Sequence, residues 1–343
     1  MSEIRLTQFS PGAGCGCKIS PADLEKIPHD THQKSSFAKL LVGNETKDDA
    51  AVFDIGNGQA IISTTDFFTP IVDDPFDFGK IAAANAISDI YAMGGRPLMA
   101  ISVLGWPLER LSAETARRVI EGARNTCDEA GIPLAGGHSI DISDPVFGLA
   151  VTGITATSAI KRNNTAAPAC RLFLSKPIGT GIVSTAGKKG FLNEEDYRTS
   201  VHWMTRLNTL GMELGKIKSV MAMTDVTGFG LLGHLLEICE GSGLSAVIEF
   251  DRVPFLDNLK FYIDKNSIPG GTYRNWKSYG SKIGETEERQ KYLLADPQTS
   301  GGLLIAAENE PGDEFLSLVK QHGLAEIGHL EKRTPGDPLI TVN

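Results

Sequence analysis

Apolar and polar positions along residues 48–68 follow the pattern of two strands separated by a tight turn. Two apolar runs flank Gly56-Asn57-Gly58, a tripeptide that favours a β-hairpin. Asp48 and Asp49 stand at the start of the first predicted strand, and Asp66 stands at the end of the second. A hairpin brings these ends together, and neighbouring carboxylates repel one another unless a cation joins them. The pattern therefore predicts a hairpin with concentrated negative charge at its open end.

The next segment, residues 78–95, predicts a buried helix. Most of its residues are small and apolar, and it ends at a Gly-Gly pair. Asn85 and Asp89 are its polar exceptions, with Ser88 beside them, and their spacing of four places them on one helix face. Because an ionised aspartate on an apolar helix needs a partner, this face is a candidate site.

The rest of the chain mixes helices and strands in both halves. In the first half we predict a short helix at 20–27 that begins with Ser20 and Pro21, an amphipathic helix at 111–133 and a strand at 145–156. The second half is predicted to begin with a strand and glycine turn at 171–181 and a helix at about 194–217. After these we predict a strand, a glycine-rich turn and a helix within 221–243, with the helix closed by Gly241, then a loop-rich region at 252–290 and a turn into a strand at 296–307. A polar, broken run at 160–170 places a domain boundary near 156–168. The fold class is therefore α/β or α+β, with antiparallel strands at the hairpin.

Residues 12–20 place two thiols and a lysine among three glycines. Each glycine adds backbone entropy that folding must remove, so this composition disfavours a packed strand or helix. We expect a mobile glycine-rich arm at residues 1–20 that exposes reactive sulfur at Cys15 and Cys17. The adjacent Lys18 is expected to favour their thiolate forms.

Length, charge and cysteine content exclude several classes of protein. The chain has 343 residues, about two domains by the usual prior, and its 41% hydrophobic content suffices for a buried core. A net charge of −9 argues against non-specific nucleic-acid binding. No apolar run approaches the roughly 18 residues of a membrane span, and the first residues lack the apolar core of a signal peptide. We expect a soluble, cytoplasmic protein with reduced thiols and neither membrane nor nucleic-acid partners.

The aspartates at predicted strand ends, on the apolar helix and beside glycine are candidate metal ligands. They are Asp48, Asp49, Asp66, Asp89 and Asp225. Magnesium prefers hard oxygen ligands and usually takes a few carboxylates together with phosphate oxygens. Any one of these residues has an ordinary alternative role as a turn or cap residue. As a set they favour a metal–phosphate site.

Two glycine-rich segments, 135–139 and 224–230, are candidate phosphate cradles. Backbone N–H groups in such segments can bind phosphate, and the second segment opens a predicted helix. Neither matches the Walker pattern, and a tight turn remains the default interpretation of each one alone.

The paired cysteines leave several kinds of chemistry open. Cys-Gly-Cys is half of a zinc site, to which His29 and His32 are the available additional ligands, although structural zinc usually needs four. A vicinal redox pair is the second alternative. The remaining cysteines are isolated in apolar or ordered segments and are expected to be core residues: Cys127, Cys170 and Cys239.

Seven motifs, in this order, resemble the selenophosphate synthetase (selenide, water dikinase) family. They are GAGCGCKISP, VGNETKDDAAVF, STTDFF, NAISDIYAMGG, LAGGHSID, AMTDVTGFGLLGHL and DPQTSGGLL, and they extend over about 12–305. The wider superfamily, typified by aminoimidazole ribonucleotide synthetase, shares the carboxylate-rich ATP site. The Cys-Gly-Cys-Lys arm is the feature that points to selenium.

This resemblance implies a fold and a reaction. The fold is a two-domain aminoimidazole ribonucleotide synthetase-like α/β protomer with mixed sheets flanked by helices: an arm at 1–20, an ATP-binding and dimerisation domain at 21–157, and a C-terminal domain at 168–343. The reaction converts ATP, selenide and water into selenophosphate, orthophosphate and AMP, and supplies activated selenium for selenocysteine and selenouridine. The protein is expected to be a homodimer that uses more than one Mg²⁺ ion and a monovalent cation such as K⁺, with a selenium-delivery protein as a candidate partner.

Residue roles carry over from the matching motifs. Cys15 corresponds to the reactive residue and Lys18 to a catalytic lysine that also contacts ATP. The positions that correspond to magnesium ligands are Asp49, Asp89 and Asp225. The positions that correspond to nucleotide contacts are Thr46, Lys47, Asp48, Asp66, Asp89, Gly137, His138 and Ser139. In the family a glycine-rich arm closes over bound ATP and excludes water, which gives the composition of residues 12–20 a function.

Two other functions compete with this one. A relative from the same ATP-site superfamily that acts on another small acceptor would lack the Cys-Gly-Cys-Lys arm, which is present. A non-catalytic selenium or metal carrier would use Cys15 and Cys17 but leaves the aspartate set without a role. Nucleotide turnover distinguishes the carrier from the enzyme.

Overall fold

The structure, a computed structural model, describes residues 4–10, 12–19, 37–45 and 47–343. The helix predicted at 20–27 and the predicted nucleotide contact Thr46 lie outside the described residues. Within the described residues, no helix is both long enough and apolar enough to cross a membrane.

The first half of the described chain forms a mixed sheet. Its strands are β1 Leu40–Val42, β2 Ala51–Gly56, β3 Gln59–Phe68, β4 Arg96–Trp106, β5 Leu134–Asp141 and β6 Val146–Ala156. They lie in the order β1-β2-β3-β6-β4-β5, and all neighbours are antiparallel except β4 and β5. The predicted hairpin is confirmed: β2 pairs with β3, and Gly56, Asn57 and Gly58 all have positive φ.

Helices α1 Pro75–Ala92 and α2 Ala113–Glu129 cover one face of this sheet. Asp74 caps α1 and Ser112 caps α2, each by accepting a hydrogen bond from a backbone N–H of the first turn. The two helices approach so closely that a Cβ at Gly79 would lie 1.9 Å from the carbonyl oxygen of Val119. Because α1 lies between the sheet and α2, Asp89 becomes a buried residue.

The second half forms another mixed sheet with helices around it. Its strands are β7 Arg171–Leu174, β8 Val220–Asp225, β9 Leu244–Ile248, β10 Leu303–Ala307, β11 Ala325–Lys332 and β12 Ile340–Val342, in the order β12-β9-β11-β7-β10-β8. Its helices are α3 Thr180–Lys189, α4 Glu194–Thr205, α5 Gly211–Leu214, α6 Gly230–Ser242, α7 Leu259–Asp264, α8 Gly270–Tyr279, α9 Glu288–Leu294 and α10 Gly312–His322. The predicted α/β class with mixed sheets flanked by helices is confirmed.

Several local predictions in the second half are wrong. The region 252–290 contains α7, α8 and the start of α9 instead of a long loop. The stretch 194–217 is divided into α4 and α5 by a break, and α3 follows the strand at 171–174 without having been predicted. Helix α6 continues past Gly241 to Ser242 and is capped by Gly243, whose φ of 69° suits that position.

Contacts between the halves run through α1 and the segment after β6. Helix α1 packs against β8 and α4 of the second half. The buried Lys161 donates hydrogen bonds from Nζ to the carbonyl oxygens of Ile217 and Val220, at 2.8 and 2.7 Å. These contacts bring the start of β2, the C-terminal part of α1 and the end of β8 to one place.

Candidate active site

Three carboxylates from distant parts of the chain form a cluster where the two halves meet. Asp49 precedes β2, Asp89 lies on α1, and Asp225 is the last residue of β8. One oxygen from each lies within 4.8 Å of the others, close enough to share one metal ion. The predicted magnesium ligands are therefore brought together by the fold.

The hydrogen bonds of the cluster leave two of its oxygens without partners. Thr224 donates to Asp49 Oδ1 at 2.8 Å, and Thr64 donates to Asp89 Oδ2. Asp49 Oδ2 and Asp225 Oδ2 are buried and have no hydrogen-bond partner among the described residues. A buried carboxylate oxygen without a partner is costly, and a divalent cation is the kind of ligand that removes the cost.

The electrostatics of the cluster also suit a cation. Burial, followed by the charges of neighbouring carboxylates, raises the pKa of Asp89 well above its ordinary value. Burial and the nearby Asp225 do the same to the pKa of Asp49, and burial raises the pKa of Asp225 itself. Without a cation the cluster therefore binds protons, and the hard oxygen donors fit Mg²⁺.

A second group, around Asn85, contacts the glycine-rich arm and lies near the cluster, since the charge of Asp66 in this group acts on Asp89. Asn85 Nδ2 donates to Asp66 Oδ2 at 2.7 Å, and Lys18 Nζ lies 3.4 Å from Asp66 Oδ1. The thiol of Cys15 donates to Asn85 Oδ1 at 3.3 Å. Burial alone would lower the pKa of Lys18, but the charges of Asp66, Cys15 and Asp89 raise it above its ordinary value. A lysine that stays protonated thus lies between the sulfur and the acidic groups.

The described part of the arm is packed at Cys15 and exposed at 17–19. Residues Cys15–Cys17 form a single 3₁₀ turn, and Cys15 is fully buried whereas Cys17 is exposed. The expectation of two exposed thiols is therefore wrong for Cys15. Burial raises the pKa of Cys15 to about 12 despite the opposing effect of Lys18, so the expectation of a favoured thiolate is also wrong in this arrangement. Lys18 lies close enough to matter, but the apolar surroundings outweigh its charge.

The loop at 296–300 supports the Cys15 turn, which the sequence did not predict. Thr299 Oγ1 accepts a hydrogen bond from the backbone N–H of Cys15 at 3.1 Å, and Ser300 N donates to Asn85 Oδ1 at 2.8 Å. A Cβ at Gly228 would lie 2.7 Å from the carbonyl oxygen of Cys15. The segments 224–230 and 296–300, which the sequence predicts as turns, therefore pack against the cysteine turn. Their glycine-containing motifs are the available sequence signal, but the motifs do not indicate which residues they contact.

The remaining predicted nucleotide contacts lie in two places. Asp48 Oδ1 accepts from the backbone N–H of Asn163 at 2.8 Å, and the carbonyl of Lys47 accepts from Asn163 Nδ2 at 2.9 Å. The segment 137–139 is not a turn but part of the exposed strand β5, where pairing with β4 keeps it extended. It is not part of the carboxylate cluster.

Comparison with known proteins identifies relatives over the whole length of the chain. Models of the AIR synthase related protein family match residues 47–155, for the N-terminal domain, and 167–338, for the C-terminal domain. The chain is 58% identical to a selenide, water dikinase of Photorhabdus laumondii, covering 100% of this chain and 99% of that one. It is 56% identical to the enzyme of the same name from Pasteurella multocida, covering 99% and 98%.

Solved structures with lower identity share the fold. A thiamine-monophosphate kinase from Stenotrophomonas maltophilia superposes with a TM-score of 0.65 at 20% identity, covering 90% of this chain and 92% of that one. A hydrogenase maturation protein HypE in complex with ATP gives a TM-score of 0.64 at 19% identity, covering 87% and 85%. At these identities the similarity is evidence for the fold alone.

Proposed function

The chain belongs to the selenide, water dikinase family, whose members make selenophosphate from selenide, ATP and water, and we propose that this reaction takes place where Cys15 meets the carboxylate cluster. The observation that carries the proposal is Asn85, which hydrogen-bonds both the thiol of Cys15 and the carboxylate of Asp66. Asp66 in turn acts electrostatically on Asp89 of the cluster, so Asn85 stands between a soft sulfur, suited to selenide, and a neighbouring site with hard oxygen ligands, suited to metal-bound phosphate.

We propose that Asp49, Asp89 and Asp225 hold Mg²⁺, and that more than one ion binds together with ATP. The two unpartnered oxygens and the raised pKa values of the cluster support this assignment. Bound there, Mg²⁺ supplies positive charge that offsets the phosphate oxygens of ATP. A monovalent cation such as K⁺ is part of the same proposal and is tested by omitting it.

The chain's own residues orient and protect the reactants. Lys18 places a positive charge beside the phosphoryl group that is transferred, and the ion pair with Asp66 orients the Lys18 side chain. Cys15 positions selenide, a soft nucleophile, beside that group. The buried seat of the cysteine turn excludes water while the first phosphoryl group is transferred. The proposed nucleotide contacts also include Thr46, Lys47, Asp48, Asp66, Asp89, Gly137, His138 and Ser139.

We propose that each turnover cleaves both phosphoanhydride bonds of ATP. Selenide takes the γ-phosphoryl group and leaves ADP, and water then takes the β-phosphoryl group, so that selenophosphate, orthophosphate and AMP are released. Anaerobic incubation with ATP, Mg²⁺ and selenide, followed by chromatography, should give AMP as the final nucleotide. ADP that persists in stoichiometric amount would contradict a dikinase. Bound but unhydrolysed ATP would favour a non-catalytic selenium carrier.

We propose that the chain divides into domains at 21–157 and 168–343, and that the first domain pairs in a homodimer. The face of its sheet opposite α1 and α2 exposes six large apolar side chains at 43–54% of their surface: Phe53, Ile55, Phe67, Met99, Ile101 and Ile140. An apolar face of this kind is typical of an interface. Ile101→Asp should give a monomer in sedimentation velocity, and an unchanged dimer would contradict this surface.

Two further points belong to the same proposal. The five cysteines, all of which the structure describes, are free thiols, which supports a reducing compartment such as the cytoplasm. A selenium-delivery protein is proposed as the donor, and replacing free selenide with protein-bound selenium tests it.

A further inference from the structure

A small cavity of about 180 Å³ lies beneath the glycine-rich arm. Gly12, Ala13 and Gly16 of the arm line it, and Lys188 and Arg274 face it from α3 and α8. Thr299, which accepts the hydrogen bond from the Cys15 backbone, also lines it. The cavity therefore reaches the cysteine turn, whereas the thiol of Cys15 is directed to Asn85 and the acidic residues.

A larger cleft of about 810 Å³ between the two halves lies next to this cavity. Ile71, Ser184 and Lys188 line both spaces. The cleft is therefore a candidate entrance to the cavity, and no residue of the carboxylate cluster lines either space. The small cavity cannot hold a nucleotide, since ligand pockets for molecules of that size are usually about 300 Å³ or more.

The chemistry of the cavity selects an anion. Among the described residues that line it are two cations, Lys188 and Arg274, and no carboxylate. Lys188 Nζ donates to the carbonyl oxygens of Ser10 and Gly12, and Arg274 Nη2 donates to that of Gly16. An ammonium has three donors and a guanidinium five, so both retain donors for a ligand.

Ser184 provides independent evidence for a ligand. It is only 6% exposed and lines the cavity, and its Oγ has no hydrogen-bond partner among the described residues. Ser184 and Lys188 are four residues apart on α3 and so lie on the same helix face. An anion bound here would accept a hydrogen bond from the buried hydroxyl and from the neighbouring cation, so the site suits an anionic ligand.

We propose that hydrogenselenide, HSe⁻, reaches Cys15 through this cavity and binds there to Ser184, Lys188 and Arg274. The inference rests on the proposed function and adds a separate entry for selenium. On the side of the carboxylates, selenide would meet the negative charges of the aspartates and of ATP. On the side of Lys188 and Arg274 the described lining of the small cavity carries positive charge only. Acidic residues do line the cleft outside it: Asp73, Asp74, Asp77 and Glu194. The two cations attract selenide from the cleft into the cavity.

Steady-state kinetics under anaerobic conditions test the proposal. In Ser184→Ala we expect KM for selenide to rise about three- to tenfold, because a hydrogen bond from a neutral donor is lost. In Lys188→Met we expect KM for selenide to rise at least about tenfold, because a charge-assisted hydrogen bond is lost. KM for ATP and kcat at saturating selenide should stay unchanged. Lys189→Met is the matched control, because Lys189 is exposed, does not line the cavity and donates to the Asn266 carbonyl.

Each other outcome has a defined meaning. Loss of kcat in Lys188→Met together with wild-type kinetics in Ser184→Ala would show that Lys188 only holds the arm, and would overturn the proposal. Weaker inhibition by orthophosphate in the variants, with KM for selenide unchanged, would assign the cavity to product release and also overturn it. A wild-type enzyme without selenide-dependent turnover would instead contradict the proposed function.

A second measurement does not depend on turnover. Cys17 is exposed, and Lys188 and Arg274 act on it electrostatically. We compare the rates at which anionic iodoacetate and neutral iodoacetamide alkylate Cys17, and mass spectrometry identifies the labelled residue. Because the two cations attract the anionic reagent, the ratio of the iodoacetate rate to the iodoacetamide rate should be higher in the wild type than in Lys188→Met. We expect the ratio of the two rates to fall at least about threefold in the variant. An unchanged ratio would contradict an anion-attracting cavity.

Discussion

Replacing Asp225 with asparagine should stabilise the metal-free protein while it abolishes metal-dependent ATP binding. Two unit charges 4.8 Å apart interact by about 3 kcal/mol at an effective dielectric constant near 20, and Asp225 has two such neighbours, Asp49 and Asp89. Protonation relieves part of this repulsion, and the variant also loses favourable interactions with His234 and Lys18. We therefore expect a net gain of about 1–3 kcal/mol at pH 8, or about 2–6 °C in Tm.

The direction of the pH dependence follows from the raised pKa values of the three carboxyl groups. A carboxyl group whose folded pKa lies above its unfolded value contributes stability that is complete below the unfolded pKa. That stability is lost as pH rises through the folded pKa. The three carboxyl groups therefore lower the Tm of the metal-free protein as pH rises, and this contribution should be smaller in Asp225→Asn than in the wild type when the Tm values at pH 6 and pH 8 are compared.

Thermal melting with EDTA, and then with saturating Mg²⁺ and ATP, tests both parts of the prediction. Mg²⁺ and ATP should raise the Tm of the wild type and leave that of Asp225→Asn nearly unchanged. Asp128→Asn, on the exposed end of α2, is the matched control and should behave as the wild type in both conditions. A metal-free Asp225→Asn protein that is less stable than the wild type, or that Mg²⁺ and ATP stabilise equally, would refute the reasoning.

Three further substitutions test other parts of the site. Cys15→Ser should lose selenophosphate formation but keep ATP binding, whereas Cys17→Ser should keep substantial activity; equal losses of selenophosphate yield would contradict their different roles. Gly228→Ala should lower turnover at least about tenfold by displacing the cysteine turn, and Gly284→Ala, whose added Cβ would lie no nearer than 3.5 Å to other atoms, should not. Burial raises the pKa of Asp296 to about 8, so this residue should make the wild type several kcal/mol less stable as pH rises from 4 to 8. Asp296→Asn should not show that decrease in urea unfolding, and an unchanged pH profile would contradict this prediction.

The sequence was sufficient to predict those elements whose structure depends on residues close together in the chain. The hairpin depends on Gly56-Asn57-Gly58, and the buried helix α1 on its run of small apolar residues. The five aspartates Asp48, Asp49, Asp66, Asp89 and Asp225 could be grouped from their places at strand ends, on the apolar helix and beside glycine, and only the family resemblance singles out three of them as metal ligands. The meeting of Asp49, Asp89 and Asp225 within 4.8 Å required the packing of α1 against β8.

Contacts between distant segments were not predictable in the same way. The hydrogen bond between Cys15 and Thr299 spans 284 residues, and that between Asn85 and Ser300 spans 215. Glycine content suggested an exposed arm, but burial against such partners reversed both the exposure and the pKa expected for Cys15. Strand β5 was interpreted as a turn because its glycines conceal its pairing with β4.

Phosphorus NMR with ⁷⁷Se-enriched selenide tests the central claim most directly. The wild type, with ATP and Mg²⁺ under anaerobic conditions, should produce a phosphorus resonance split by coupling to selenium, in step with AMP. Cys15→Ser and Asp225→Asn should each abolish that signal, because the proposed reaction needs both the thiol of Cys15 and the carboxylate cluster. A split resonance of wild-type intensity in either variant would contradict the account.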